Sequence, residues 1–312
     1  MKRVQYLRYG GPDELRLDEV KQPEPGRGQI RVQVRAAAAN PMDWKIRGGE
    51  MKWLSGFRFP RGLGHDFAGV VDAVGPGVER RKVGDEVLGV TAISRAGAFA
   101  EFVVADEKNT ALKPPSISFE QAAAMTIVSL TAWNALVVKA KLRPEQSVFI
   151  AGCLGGVGRS AVQLACMQGA EVVGSCGASG RGEALALGVS EVVDYRDFDI
   201  ARFRHRFDVI FDTAGSLSQS QCSAMLKRHG LSLHIVPTIA KMIGCLPPSR
   251  HHLVFGNPTP QSLAGITDAA EQGKLVPAIG RIVPLSQAIS AVLELETTGL
   301  PKGKLVIVPT PR

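Results

Sequence analysis

The sequence predicts a two-domain α/β protein, a β-rich domain followed by a doubly wound parallel sheet. Three observations carry that expectation. An apolar run, Val148-Phe149-Ile150-Ala151, ends in a turn with glycines at 152, 155 and 158, and a small-residue helix starts at once with Ser160-Ala161-Val162. Beyond it, apolar strands alternate with helical stretches, the pattern of a parallel sheet covered on both faces. Before it, residues 1–118 read as short strands punctuated by glycine and proline.

In chain order, residues 1–6 enter a strand directly and lack the apolar core of a secretion signal, so the cytoplasm is the expected location. Residues 30–35 alternate apolar and polar, as a half-buried strand does. Residues 69–75 read as a strand ending in a turn, 82–89 as a turn feeding a strand, and 97–104 as a further strand. This spacing suggests a small barrel. The spacing at 152–158 is G-x-x-G-x-x-G, each glycine free to take positive φ and to let backbone approach a ligand. A helix starting there offers unpaired N–H groups and a positive dipole end to a phosphate. Gly152, Gly155, Gly156, Val157 and Gly158 are therefore candidate dinucleotide contacts, in the first strand-turn-helix of a dinucleotide-binding fold. Strands follow at 170–175, 191–195, 207–212 and 231–236. His252-Leu253-Val254-Phe255 is short, apolar and uncharged, an edge strand that invites antiparallel pairing with a two-fold-related copy, so a homodimer is expected. A strand at 282–285, an amphipathic helix to 294 and a strand at 304–308 close the chain.

The 312 residues suit two domains, and 45% hydrophobic content is ordinary for a globular protein. The longest apolar stretches read as too short for a membrane span. Five cysteines without a C-x-x-C pair give no disulfide or zinc-ribbon pattern, and Cys153 and Cys176 read as small residues filling turn and core. The formal charge of +8 admits an anionic ligand or a nucleic acid, but the basic residues are scattered. The densest clusters, 79–82 and 202–206, read as solvated faces, which argues against a nucleic-acid partner.

Several segments together resemble the zinc-free quinone oxidoreductase branch of the medium-chain dehydrogenase/reductase superfamily. They are residues 40–47 (Asn40-Pro41-Met42-Asp43-Trp44-Lys45-Ile46-Arg47), 64–71, 83–87, 97–101, 122–126, 130–133, 155–158, 193–195, 273–275 and 303–306. The resemblance covers nearly the whole chain, in order. It implies a GroES-like catalytic domain (1–118, completed by 256–312) around a Rossmann domain (119–255), with NADPH as cofactor and a quinone or activated double bond as substrate.

An acidic residue at the end of the second strand, roughly 20 residues past the glycines, holds a free ribose 2′-OH. Here that position is Gly177-Ala178-Ser179-Gly180-Arg181, without an acid. Small neutral residues leave room for a 2′-phosphate, with Arg181 or Ser179 to bind it, which favours NADPH over NADH. Arg181 also reads as an exposed helix-start residue, and the family's frequent lysine two positions earlier is here Ser179. Tyr195 matches a family position near the adenosine phosphate, and packing is its alternative. Zinc-dependent members of the superfamily carry a cysteine at the Asn40 position and a four-cysteine lobe, whereas this chain has no cysteine before Cys153. His65 remains, but one histidine makes no zinc site, so no metal is expected.

Asn40, Asp43 and Lys45 are the candidate catalytic residues. Asn40 reads as a donor to a substrate carbonyl or the nicotinamide ribose, and Lys45 as a cation that stabilises a developing enolate. Asp43 has a structural ion pair as its alternative. Thr126 and Thr131 match positions around the nicotinamide, with helix-start capping as the alternative. Trp44, Trp53, Phe67 and Trp133 read as pocket wall or core. The leading function is an NADPH-dependent, zinc-independent reductase of quinones or α,β-unsaturated carbonyls. Its rivals are a reductase of alkenals or enoyl thioesters and, in another class, a nucleotide-binding protein of little turnover that binds RNA.

Overall fold

The computed structural model describes residues 1–299 and 302–309. The chain divides into two compact units. The first comprises Met1–Ile127, Pro258–Glu271 and Val276–Arg312, and the second Val128–Asn257 with Gln272–Leu275.

The first unit begins with β1 (Lys2–Tyr6), β2 (Leu15–Glu19) and β3 (Gln29–Ala38). In β3 the side chains of Ile30, Val32 and Val34 are at most 3% exposed, the alternation of a strand with one buried face. Helices α1 (Pro41–Arg47) and α2 (Lys52–Ser55) follow, then β4 (Arg61–Gly62), β5 (Asp66–Val74), β6 (Glu86–Val90), β7 (Phe102–Asp106) and β8 (Thr110–Leu112). Helix α3 (Phe119–Trp133) runs on into a π-helical turn at Asn134–Lys139.

In the second unit β9 (Ser147–Ala151), α4 (Gly156–Met167), β10 (Glu171–Cys176), α5 (Arg181–Ala186), β11 (Glu191–Asp194), β12 (Phe207–Asp212), α6 (Gln219–Met225), β13 (Leu226–His234), α7 (Ile239–Gly244) and β14 (His251–Leu253) follow one another. The chain then returns to the first unit with α8 (Pro260–Glu271), β15 (Ile279–Pro284), α9 (Ala288–Thr298) and β16 (Lys304–Val308).

The predicted α/β class and doubly wound sheet are both present. Six parallel strands lie in the order β11-β10-β9-β12-β13-β14. The order reverses between β9 and β12, the switch point where such sheets take dinucleotides. Their core stacks Phe149, Phe198, Phe203 and Phe207, neighbouring centroids being 5.3–6.1 Å apart. The β-rich unit has a three-stranded sheet (β2-β1-β4) and a seven-stranded sheet with β3 at its centre. Strand β16 pairs antiparallel with β3 and parallel with β15, so the end of the chain completes the sheet begun near residue 29. Val283, Leu285, Val292 and Ile307 share one core with Val4, Tyr6, Phe67 and Phe99.

Three expectations are corrected. The strand expected at 97–104 begins only at Phe102, because residues 97–101 cross between two partners. Phe99 donates to the Leu63 carbonyl at 2.9 Å and accepts from the Val4 N–H at 2.9 Å. The edge strand is His251–Leu253 rather than 252–255. One apolar stretch does reach membrane-spanning length: helix Phe119–Lys139, of 21 residues. In its most apolar window 67% of residues are buried in the protein, which makes it a core helix.

Arg47 is 2% exposed on α1 and bonds both carboxylate oxygens of Glu296 on α9, at 2.8 and 3.0 Å. Its Nε donates to the Gly10 carbonyl at 3.2 Å. Removing one partner of a buried pair strands the other charge. Glu296→Ala is expected to lower stability by about 3 kcal/mol, the low end for a buried pair because Glu296 is partly exposed. Urea unfolding of both proteins measures it.

Candidate functional site

The second unit builds the glycine turn that the sequence offers as a dinucleotide cradle. Strand β9 is buried throughout and is followed at once by Gly152, whose φ is +76°. A Cβ at Gly158 would lie 2.0 Å from the Gly152 carbonyl oxygen, so the turn closes only over a glycine there. Gly155 is the N-cap of α4, without a side-chain cap, and the cap carbonyl is taken by Arg159 at 2.8 Å. The N–H groups of Gly156, Val157 and Gly158 therefore sit in the first turn without a capping side chain, beside backbone stripped of Cβ atoms. This arrangement fits a pyrophosphate.

The far end of that cradle is the C-terminal rim of β10 and β11. Cys176 lies in register with Asp194, and Tyr195 N–H donates to the Cys176 carbonyl at 3.3 Å. A Cβ on Gly177 would meet the Tyr195 ring at 3.5 Å, so Tyr195 (57% exposed) and the 177–181 turn share one rim. Ser179 is exposed there. Arg181 starts α5 and is fixed by an Nη1 bond to the Val192 carbonyl at 3.0 Å. Arg196, not singled out by sequence, lies over the Tyr195 ring at 5.4 Å. Cys153 is buried in the turn, and burial beside Cys176 pushes its thiol up to about 12, which leaves it a packing residue.

Sequence reasoning also missed the buried carboxylate behind the cradle. Asp212 ends β12 and is fully buried, with Lys241 Nζ at 2.7 Å and His234 Nδ1 at 3.4 Å. Its oxygens accept the N–H groups of Ser216 and Leu217 at 3.0 and 3.2 Å. Burial pushes this carboxyl up, and its His234 and Lys241 partners more than offset that, leaving it below the usual value. Thr213 Oγ1 donates to the Ala151 carbonyl at 2.6 Å, fastening the same turn to β9.

The first unit holds a buried polar cluster around Asn40 and Asp43. Pro41 opens α1, and Asp43 Oδ2 accepts from the Asn40 N–H at 2.8 Å. The other oxygen of Asp43 meets His65 Nδ1 at 2.8 Å. Asn40 is 5% exposed, and its Nδ2 donates to Ala38 O at 3.2 Å and to Asp66 Oδ2 at 2.9 Å. Its Oδ1 accepts from Lys304 Nζ, which also donates to the Ala39 carbonyl at 2.7 Å. The amide predicted to serve a substrate is thus spent on protein partners, and the unpaired polar atom of the cluster is His65 Nε2. Lys45 lies outside it, 40% exposed and 4.0 Å from Glu50.

The threonines are brought to the same helix, α3, but at neither do hydroxyls cap a helix start. Ser118 and Gln121 make that cap reciprocally, at 2.9 and 3.2 Å. Thr126 is buried in mid-helix and donates back to the Ala122 carbonyl at 2.7 Å. Thr131 is 7% exposed on the same helix. Of the aromatics, Phe67 is core, Trp44 packs against that core, and Trp53 is 82% exposed. The donor set does not fit a zinc ion. Asn40 supplies a committed amide where a thiolate would bind, and no group of three or more His, Cys, Asp and Glu among the described residues is arranged to hold a metal.

Burial pushes the Asp66 carboxyl up to about 7, against the opposing pull of Lys304 and the Asn40 amide. The same burial draws the Lys304 ammonium down. The folded chain then keeps a proton that an unfolded aspartate, at 3.8, has released. Asp66 therefore contributes stability that is present below pH 3.8 and lost as pH rises through about 7. Relative to Asp66→Asn, the wild type is expected to lose stability across that window, which unfolding curves of both proteins at stepped pH will read.

Two family models match the chain, an alcohol dehydrogenase GroES-like domain over residues 26–115 and a zinc-binding dehydrogenase domain over residues 187–307. A quinone-oxidoreductase homolog of Spinacia oleracea, chloroplastic, is 34% identical over 76% of this chain and 75% of its own length. The 2-methylene-furan-3-one reductase of Solanum lycopersicum is 33% identical over all of this chain and 80% of its own. The quinone oxidoreductase of Coxiella burnetii superposes with a TM-score of 0.87 at 30% identity, covering 99% of both chains. The Escherichia coli quinone oxidoreductase complexed with NADPH superposes at 0.83, with 26% identity and 99% of this chain and 100% of that one covered. The chain belongs to the quinone oxidoreductases of the medium-chain dehydrogenase/reductase superfamily.

Proposed function

We propose that the protein is an NADPH-dependent, zinc-independent reductase of quinones or α,β-unsaturated carbonyls. The single observation that carries the cofactor assignment is the glycine turn joined to a second-strand rim without an acid at 177–181. Arg181 and Arg196 supply positive charge at that rim, and Asp194 has one oxygen committed to the Arg196 N–H at 2.9 Å. A bound dinucleotide would supply the hydride. Its pyrophosphate would be held by the N–H groups of Gly156, Val157 and Gly158, and Thr126 and Thr131 belong to the nicotinamide end in this reading. The E. coli relative's structure with NADPH supports the same cofactor class.

At the substrate end a conjugated carbonyl or quinone accepts the charge that hydride brings, so no Lewis acid has to deprotonate an alcohol. Asn40 and Asp43 serve there as positioning residues, acting through Asp66 and His65. Lys45 is the exposed cation we assign to the developing oxyanion. A panel of quinones, enals and enones with NADPH tests the activity, and no consumption on any of them would remove this reading. Fluorescence titration should show NADPH bound more tightly than NADH. Arg181→Ala should narrow that preference by on the order of 1.5–3 kcal/mol, the worth of a charge-assisted contact.

We further propose a homodimer formed through β14. The strand pairs with β13 alone among the described strands, and its residues are half-buried. Such an edge is a template for a second copy. Light scattering at micromolar concentration should report twice the chain mass, and a monomer throughout would refute the pairing.

A further inference from the structure

The β-rich unit carries a cavity of about 270 Å³ that none of the residues proposed for the cofactor or the substrate lines. Four arginines line it, Arg3, Arg58, Arg61 and Arg95, and no aspartate or glutamate does. They come from β1, from the segment entering β4, and from the 93–97 turn. Gly62 makes the convergence possible. A Cβ there would lie 2.5 Å from Gly97 Cα and 2.7 Å from the Ala96 carbonyl oxygen, so the 93–97 turn crosses β4 only over a glycine.

The guanidinium groups have neutral partners at most and no carboxylate among the described residues. None of the four lies in an ion pair among the described residues. Arg61 is 7% exposed, one of its Nη donates to the Ile93 carbonyl at 3.3 Å, and its Nε is buried without a partner. Arg3 spends Nε, at 3.2 Å, and one Nη on the Gln5 side-chain oxygen, and burial depresses its guanidinium despite Asp18. Arg58 and Arg95 are exposed at the rim. A buried donor without an acceptor costs on the order of 1–3 kcal/mol, and more when it is charged. Four like charges around one concavity focus a positive field that an anion relieves. Guanidinium forks match carboxylate and phosphate oxygens alike, but four of them exceed what one carboxylate can balance.

We infer that this arginine-lined cavity binds a phosphate group of a small-molecule ligand, at a site separate from the glycine turn of the other unit. Two sources share the chemistry, a free phosphate anion and a phosphorylated carrier such as the coenzyme of an acyl thioester. The test titrates inorganic pyrophosphate and coenzyme A, each at constant ionic strength so that screening does not vary. Calorimetry and thermal shift are read on the wild type and on the Arg58→Ser/Arg95→Ser double variant, both with saturating NADPH. Both substituted side chains are exposed, and an unchanged circular dichroism spectrum and NADPH titration will show that the fold and the glycine turn are intact.

Wild-type protein should bind at least one of the two ligands, and the double variant should bind it at least about tenfold more weakly, since each charged contact is worth more than one decade. Binding of pyrophosphate and coenzyme A alike assigns the site to the phosphate itself, and binding of coenzyme A alone assigns it to the carrier. No binding of either ligand, or binding that the double variant retains in full, overturns the inference. NADPH affinity is measured on the same samples, so failure of the cofactor assignment would show separately.

Discussion

The β-rich unit depends on one buried cation. Lys304 stands at the start of the last strand, 8% exposed, with its ammonium on the Ala39 carbonyl and the Asn40 amide oxygen. A buried charge is tolerable only when hydrogen-bonded and paired. That requirement fixes the Asn40 amide, which turns both its hydrogens to Ala38 and Asp66. Asp66 in turn accepts the Ile127 N–H of α3 at 3.2 Å. One ammonium thereby registers the final strand, the entry to α1, the start of β5 and a core helix against each other. Its neighbours Asp43 and His65 are oriented by the same short segment.

In the second unit Asp212 has the corresponding position. It closes β12 beside β9, and the carboxylate holds two successive N–H groups of the turn that follows. Lys241 brings α7 to the same carboxylate, although α7 otherwise presents Ile239, Met242 and Ile243 to solvent. A polar anchor with an apolar outer face lets a short helix stay in place without a large core of its own. The glycine turn is fastened to β10, by the Gly152 and Cys153 N–H groups on the Ser175 carbonyl, and the turn after β12 is fastened to β9 through Thr213.

What was legible in the sequence was local. The alternation in β3, the apolar run of β9 and the glycines after it act within a few residues of where they stand, and all appear in the structure. The return of the chain into the first unit was an implication of the family resemblance, with no local signal of its own. What was not legible were meetings across long separations. Nothing near Asn40 announces that a lysine 264 residues later will consume its amide oxygen. Nothing near Arg47 announces Glu296, 249 residues away. The hydroxyl of Thr126 could not be told from a cap without knowing where α3 starts, which Ser118 decides. Four arginines drawn from three segments look like scattered surface charge until β4 and the 93–97 turn cross over Gly62.

The place of β16 also sets an order of assembly. It lies between β15 and β3, and so pairs with a strand made some 270 residues earlier in synthesis. Until the segment Lys304–Val308 has left the ribosome, the end of β3 at Ala37 and Ala38 has no neighbour on that side, and the Asn40 amide has no ammonium. The second unit has every strand of its own sheet within Ser147–Leu253 and is under no such delay. A nascent chain of this protein thus carries an open apolar edge for most of its translation, the condition under which holding chaperones matter most.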